Sequence, residues 1–171
     1  MIFYTRLFIP LCVLIHCTAC SLNPYSITFN NNVIYSPNAA LKSGVLSDPS
    51  LQACLNQVLQ ADQTKLFTTV TLLACPGASI TTLSGIEKMT KLEQLDVSNN
   101  AISTLNPLLE LKNLRVLNVS NNAVTEIRSL LSMPILRFVA LIGNDNISCD
   151  DLVSLEEKLG NTLSRPLNCK D

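Results

Sequence analysis

One stretch of this chain is written twice in succession, and that duplication limits its possible folds more than any other feature. Residues 92–113 read LEQLDVSNNAISTLNPLLELKN and residues 114–135 read LRVLNVSNNAVTEIRSLLSMPI, each 22 long. Superposing them sets Leu92 on Leu114, Leu95 on Leu117, Val97 on Val119, Asn100 on Asn122, Ile102 on Val124 and Leu105 on Ile127. One interval earlier the same frame holds Val70, Leu73, Cys75, Ile80, Leu83, Ile86 and Met89, with Ala78 in the place of the Asn. One interval later it holds Leu136, Val139, Leu141 and Asn144. A fixed period of this length with the spacing L-x-x-L-x-L-x-x-N-x-L marks a fold stacked along one direction, because a single unit cannot bury its apolar face without neighbours.

Within each unit the short segment such as LEQLDV is expected to run as a strand. Leu95 and Val97 then turn inward, while Gln94, Asp96 and Ser98 turn outward. The second half returns the chain across the opposite side. Pro107 and Pro134 there argue against long helices and for short helical or 3₁₀ turns. Asn100, Asn122 and Asn144 stand where the backbone must bend; a carboxamide donates and accepts at once, so a structural role in the turn is expected rather than a binding site.

These motifs resemble leucine-rich repeat proteins, and their order is most similar to the short-repeat type of bacterial surface proteins such as internalins. The resemblance covers residues 48–160. It implies an α/β fold: a short, right-handed leucine-rich repeat solenoid with a parallel sheet on its concave face, an N-terminal helical cap and a C-terminal cap. Fold alone names no ligand.

The residues supply the caps. Leu51, Cys54, Leu55, Val58 and Leu59 recur at helical spacing, with Ser47 or Asp48 as candidate N-cap and Pro49 in the first turn. At the other end DDLVSLEEKLG reads as a helix stopped by Gly160, with Leu152, Leu155 and Leu159 on its apolar stripe. The expected organisation is a signal peptide over 1–19, a lipid-anchored tether over 20–46, the helical cap over 47–69, repeats over 70–148 and the closing cap over 149–171.

Ahead of the repeats, residues 7–19 form an apolar run after the single basic Arg6, a length that suits a secretory signal better than a membrane span of about 20 residues. The run ends in Cys17-Thr18-Ala19-Cys20-Ser21, which resembles a bacterial lipobox with Cys17 where Leu is usual; ordinary cleavage after Ala19 is the alternative. Parity favours lipid on Cys20. Losing Cys12 and Cys17 with the signal leaves five of the seven cysteines, and lipidation of Cys20 leaves Cys54, Cys75, Cys149 and Cys169 to pair. Cys54–Cys75 would staple the first cap to the first repeat, buried free thiols being the alternative; Cys149–Cys169 would staple the second cap. The chain is thus expected at the cell envelope, lipid-anchored to a bacterial membrane, the outer one first, or else secreted or periplasmic. The tether is rich in Asn, Ser and Pro, and within it ITFNNNVIY is a candidate hairpin.

Chemistry is sparse. The one His of the sequence, His16, lies in the signal segment, which removes Ser-His and Cys-His pairs, a histidine base and His-bearing zinc sites. No cofactor or metal is expected. A net charge of −1 with no basic stripe argues against nucleic acid. Asp150 with Asp151, and Glu156 with Glu157, are the remaining carboxylate pairs, and adjacent helical positions point apart. The N-x-S triplets at Asn118 and Asn146 fall in strand and turn. The chain is accordingly read as no enzyme.

Function then falls to the outward positions of the sheet. Gln94, Asp96, Val116, Asn118, Phe138 and Ile142 would line the concave face, flanked by Arg115 and Arg137. Val116, Phe138 and Ile142 would make an apolar patch at its C-terminal end, unless the closing segment covers Phe138 and Ile142. A protein or peptide partner on this face, with the membrane engaged only through lipid, is the first expectation. A structural envelope component or subunit of a larger assembly, touching through the solenoid edge, is the second.

Overall fold

The computed structural model describes residues 27–29, 32–35, 46–61 and 66–169. The expected signal segment, Cys20 and most of the expected tether lie outside the described residues. The chain divides into two compact units, Met1–Ser36 and Pro37–Asp171. In the first, β1 (Ile27–Phe29) and β2 (Asn32–Tyr35) pair antiparallel with Phe29 opposite Asn32, the hairpin that the alternation suggested.

In the second unit each coil contributes one three-residue strand: β3 (Leu72–Ala74), β4 (Gln94–Asp96), β5 (Val116–Asn118) and β6 (Phe138–Ala140). They pair in parallel without offset, so Leu73, Leu95, Leu117 and Val139 stand side by side and all four are buried. The 22-residue period makes this register the one that puts every apolar position over its counterpart. The returning halves hold 3₁₀ turns at Ile86–Lys88 and Asn106–Glu110 and the one-turn helix α2 (Arg128–Leu131). Their buried Ile86, Leu108 and Leu130 close the far side of a single core.

The asparagines hold consecutive coils together. Asn122 Oδ1 accepts the Ile102 N–H at 2.9 Å, while its amide donates to the Val119 and Ser120 carbonyls of its own coil and to Val97 of the coil before. Asn100 and Asn144 repeat the pattern one coil either side, on Ile80 and Val124 N–H and on the Cys75 and Val119 carbonyls. Each therefore satisfies peptide groups that the bend would otherwise leave buried and unpaired, at about 1–3 kcal/mol apiece. The first coil has no coil before it, so Ala78 stands where an Asn would have no preceding loop to bridge.

A second regularity lies one residue earlier. Gly77, Asn99, Asn121 and Gly143, spaced by the same period, all take the left-handed conformation, with φ of 64°, 57°, 54° and 75°. Gly and Asn are the residues that adopt it at least cost. At Gly143 a Cβ would also press on the Asn121 side chain and close on its backbone, a second reason for Gly there. This turn explains one departure from expectation. Ser98 does not face outward but is buried at 7% exposure, because the bend begins straight after Val97 and draws Ser98 into the Asn100 network.

Helix α1 (Pro49–Ala61) closes the N-terminal end, burying Leu51, Leu55 and Leu59, with Cys54 and Val58 half-buried. Of the two candidate caps, Asp48 does the capping: its Oδ1 accepts the Ser50 and Leu51 N–H. Its Oδ2 accepts from Thr81 N–H, Thr81 Oγ1 and Thr82 N–H, so one carboxylate ties the helix to the first coil. Burial raises a carboxyl's pKa, but the hydrogen bonds from Thr81, Leu51 and Thr82 outweigh it and hold Asp48 at about 2, below its ordinary 3.8. The Cys54–Cys75 disulfide adds a covalent tie, with its Cα atoms 5.9 Å apart.

At the C-terminal end α3 (Cys149–Leu159) buries Leu152 and Leu155 and stops at Gly160. Its Lys158 Nζ donates to the Leu130, Leu131 and Met133 carbonyls, which ties α3 to the end of α2 and the residues just after it. Beyond it comes an element that the repeat pattern did not suggest. β7 (Leu163–Ser164) pairs in parallel with β6, Leu163 opposite Val139, and Ser164 supplies the carbonyl that accepts the Leu141 N–H at 2.8 Å. That bond continues the ladder formed by Cys75 on Asp96, Val97 on Asn118 and Val119 on Ala140. The Cys149–Cys169 disulfide then anchors the closing segment.

Candidate interaction surface

Because side chains alternate along a strand, the residues flanking the buried row stand on the open face of the sheet. Strand by strand they read Leu72 and Ala74, Gln94 and Asp96, Val116 and Asn118, Phe138 and Ala140. Pairing without offset brings Val116 beside Phe138 and Asp96 beside Asn118.

The polar pair at the centre is engaged within the fold. Asp96 Oδ1 accepts the Ser98 N–H at 2.9 Å and Oδ2 accepts the Asn118 amide at 3.1 Å, while Asn118 Oδ1 accepts the Ser120 N–H. Both side chains are half-buried. These two residues of the expected binding set therefore brace neighbouring strands, and Asn118 has little of its amide left for modification or ligand. Gln94 is exposed in the same face.

The apolar end is open. Phe138 is 52% exposed and Ile142 49%, with Val116 half-buried next to Phe138. The closing segment does not lie over them. It extends the sheet instead, which leaves Phe138 on an interior strand with its ring toward solvent. Arg115 and Arg137 are exposed on the residues that lead into β5 and β6, on adjacent rungs, the Arg137 N–H donating to the Arg115 carbonyl at 2.9 Å. One feature was not singled out from the sequence: Leu72 on β3 is 53% exposed, so the opposite edge of the face is apolar too. Its signal is its repeat position, the one held by Gln94, Val116 and Phe138 in the later coils.

Elsewhere the surface offers little chemistry. An open groove of about 380 Å³ between α1 and β3 is lined by Ser50, Ala53, Cys54, Gln57, Pro76 and Ala78, none of them charged. Asp151 is bound to Arg128 at 2.9 Å and Glu156 to Arg165 at 2.6 Å, so one member of each carboxylate pair serves the closing cap. Among the described residues no group of three or more His, Cys, Asp or Glu could hold a metal, and no helix is long and apolar enough to cross a membrane.

A family model, that of the repeats of leucine-rich repeat and WD repeat-containing protein 1, matches residues 79–171, more than half of the chain. The chain belongs to the leucine-rich repeat family. Among solved structures an internalin (InlF) from Listeria monocytogenes is similar, 27% identical with a TM-score of 0.62, over 77% of this chain and 38% of that one. Internalin C2 from the same organism superposes with a TM-score of 0.51 at 18% identity, over 65% of this chain and 54% of its own, which speaks for the fold alone. This leucine-rich repeat chain thus spans well under two thirds of either internalin. No curated protein matches it.

Proposed function

We propose that the chain is a non-catalytic binding module, exported and held at a membrane by lipid on Cys20, which takes a protein or peptide partner on the concave face of its sheet. The observation that carries this is the half-exposed Phe138 on an interior strand, with Ile142 and Val116 around it. An aromatic ring left open on an interior strand, with further apolar side chains beside it, is a usual anchor for a partner. The fold gains little from Phe at 138, since the same outward position holds Leu72, Gln94 and Val116 in earlier coils.

The test is capture from envelope extracts by immobilised wild type and by Phe138→Asp. The variant is expected to lose the captured partner and keep its thermal unfolding midpoint; capture unchanged, or loss of folding together with capture, counts against the proposal. Mass spectrometry of the mature N-terminus tests the anchor, with a diacylglyceryl group on Cys20 as the expected result. The second reading, a subunit of a larger envelope assembly, draws on Leu131 of α2 and Val153 of α3, exposed away from the sheet. Crosslinking in intact cells separates the two: adducts through α2 and α3 favour the assembly, adducts through Phe138 the partner.

A further inference from the structure

We propose that the ligand of this face is an acidic peptide segment carrying a bulky apolar side chain, the apolar group resting on Val116, Phe138 and Ile142 and its carboxylates on Arg115 and Arg137. The inference rests on the binding reading above and names the chemistry of what binds.

Four arginines fall among the described residues, and they divide by use. Arg128 and Arg165 are each tied to a carboxylate in the closing cap. Arg115 and Arg137 form no ion pair with a described residue, although they occupy neighbouring rungs, where like charges repel. The repeat asks for no cation there, since the same position holds Thr71 and Glu93 in the two preceding coils. Two carboxylates stand near: Glu93, on the rung before Arg115, forms no ion pair with it, and Asp96 has one oxygen on the Ser98 N–H and the other on the Asn118 amide. Two exposed arginines, without an ion pair among the described residues, thus lead into the two strands that carry Val116 and Phe138, and Arg137 directly precedes Phe138 in the chain.

A ligand segment whose apolar side chain covers Phe138 brings its flanking residues to the start of β5 and β6, where Arg115 and Arg137 stand. Carboxylates on those residues then meet planar donors that hold them in bidentate fashion. Acid and apolar group need be only a residue or two apart, which a short peptide segment supplies. Two cations on a chain of net charge −1 are too few for a nucleic acid backbone, which calls for a basic stripe.

The experiment uses an array of short peptides, each with one Phe or Leu, whose other residues are Asp and Glu in one set, Lys and Arg in a second, Ser and Asn in a third. The purified chain is expected to be retained about tenfold better on the acidic set than on the neutral one, less so as salt rises. The double variant Arg115→Glu, Arg137→Glu should reverse that preference toward the basic set with its circular dichroism unchanged. Equal retention on all three sets that Phe138→Asp abolishes overturns the acidic assignment and leaves the binding face standing. Acid preference that survives both variants places binding elsewhere and overturns both. Retention on no set, or retention of anionic vesicles or DNA in place of the acidic peptides, overturns the peptide assignment.

Discussion

The two ends of the repeat array meet the same difficulty and resolve it differently. A stack of coils cut at either end exposes its interior, and each end closes it with a helix and a disulfide spanning 21 or 20 residues. At the N-terminal end the sheet begins at β3, and α1 is joined to the first coil through the Asp48 carboxylate and Cys54–Cys75. At the C-terminal end the backbone ladder runs on into β7, so the last coil is held by peptide hydrogen bonds as well as by its covalent tie. The comparison teaches that closing a core and closing a sheet are separate tasks. Only the C-terminal end does both, and in doing so it keeps Phe138 away from the sheet edge.

The largest expected effect tests whether the two staples are equivalent. Replacing Cys54 and Cys75 by Ala, or Cys149 and Cys169 by Ala, should each lower stability by about 3 kcal/mol in denaturant titrations, as the near-equal loops imply. If β7 holds the closing segment independently, the second pair of replacements should cost visibly less, and hydrogen exchange at Leu141 N–H would remain slow.

Asp48→Asn comes next, at about 2 kcal/mol near neutral pH. Because the folded pKa is depressed from 3.8 to about 2, the contribution is present above the unfolded value and fades as pH falls between the two. The gap between wild type and Asp48→Asn should therefore narrow over that acid window, measured as unfolding free energy against pH. A gap that stays constant down to pH 2 would remove the carboxylate from the N-terminal tie.

On the C-terminal side, Lys158→Met keeps the aliphatic stem and removes the donor to the Leu130 and Leu131 carbonyls of α2 and to the Met133 carbonyl beyond it. A loss of about 1 kcal/mol is expected, read most directly as faster exchange in α2 and α3. Smallest of all, Phe138→Asp should change stability by less than about 0.5 kcal/mol, since the ring lies on neither closing device. A larger loss would make Phe138 part of the closure rather than an anchor for a partner.

Much of this was legible in the residues. The equivalence of Leu73, Leu95, Leu117 and Val139, the bridging asparagines, both disulfides and the two closing helices follow from side-chain type and spacing. The outward placement of Phe138, Ile142, Asp96 and Asn118 was legible; the hydrogen bonds that engage Asp96 and Asn118, and the burial of Ser98, were not. Whether a polar group between repeats faces solvent or a neighbour's amide depends on how sharply the turn bends. Leu72 is of the same type as the leucines that fill the core, and only its place opposite Gln94 marks it as outward.

What the sequence determined by itself is the periodic interior, because apolar side chains recurring at one interval can be buried together in only one register. What tertiary structure alone decided lies at the ends: β7 in the sheet, Asp48 shared between helix and first coil, Lys158 on α2, and Phe138 left open. The first three depend on backbone groups that one element leaves unsatisfied and another, 23 to 34 residues away along the chain, happens to reach. A pattern of side-chain types records which surfaces avoid water; it carries no mark of which peptide groups still lack a partner when the last coil is laid down.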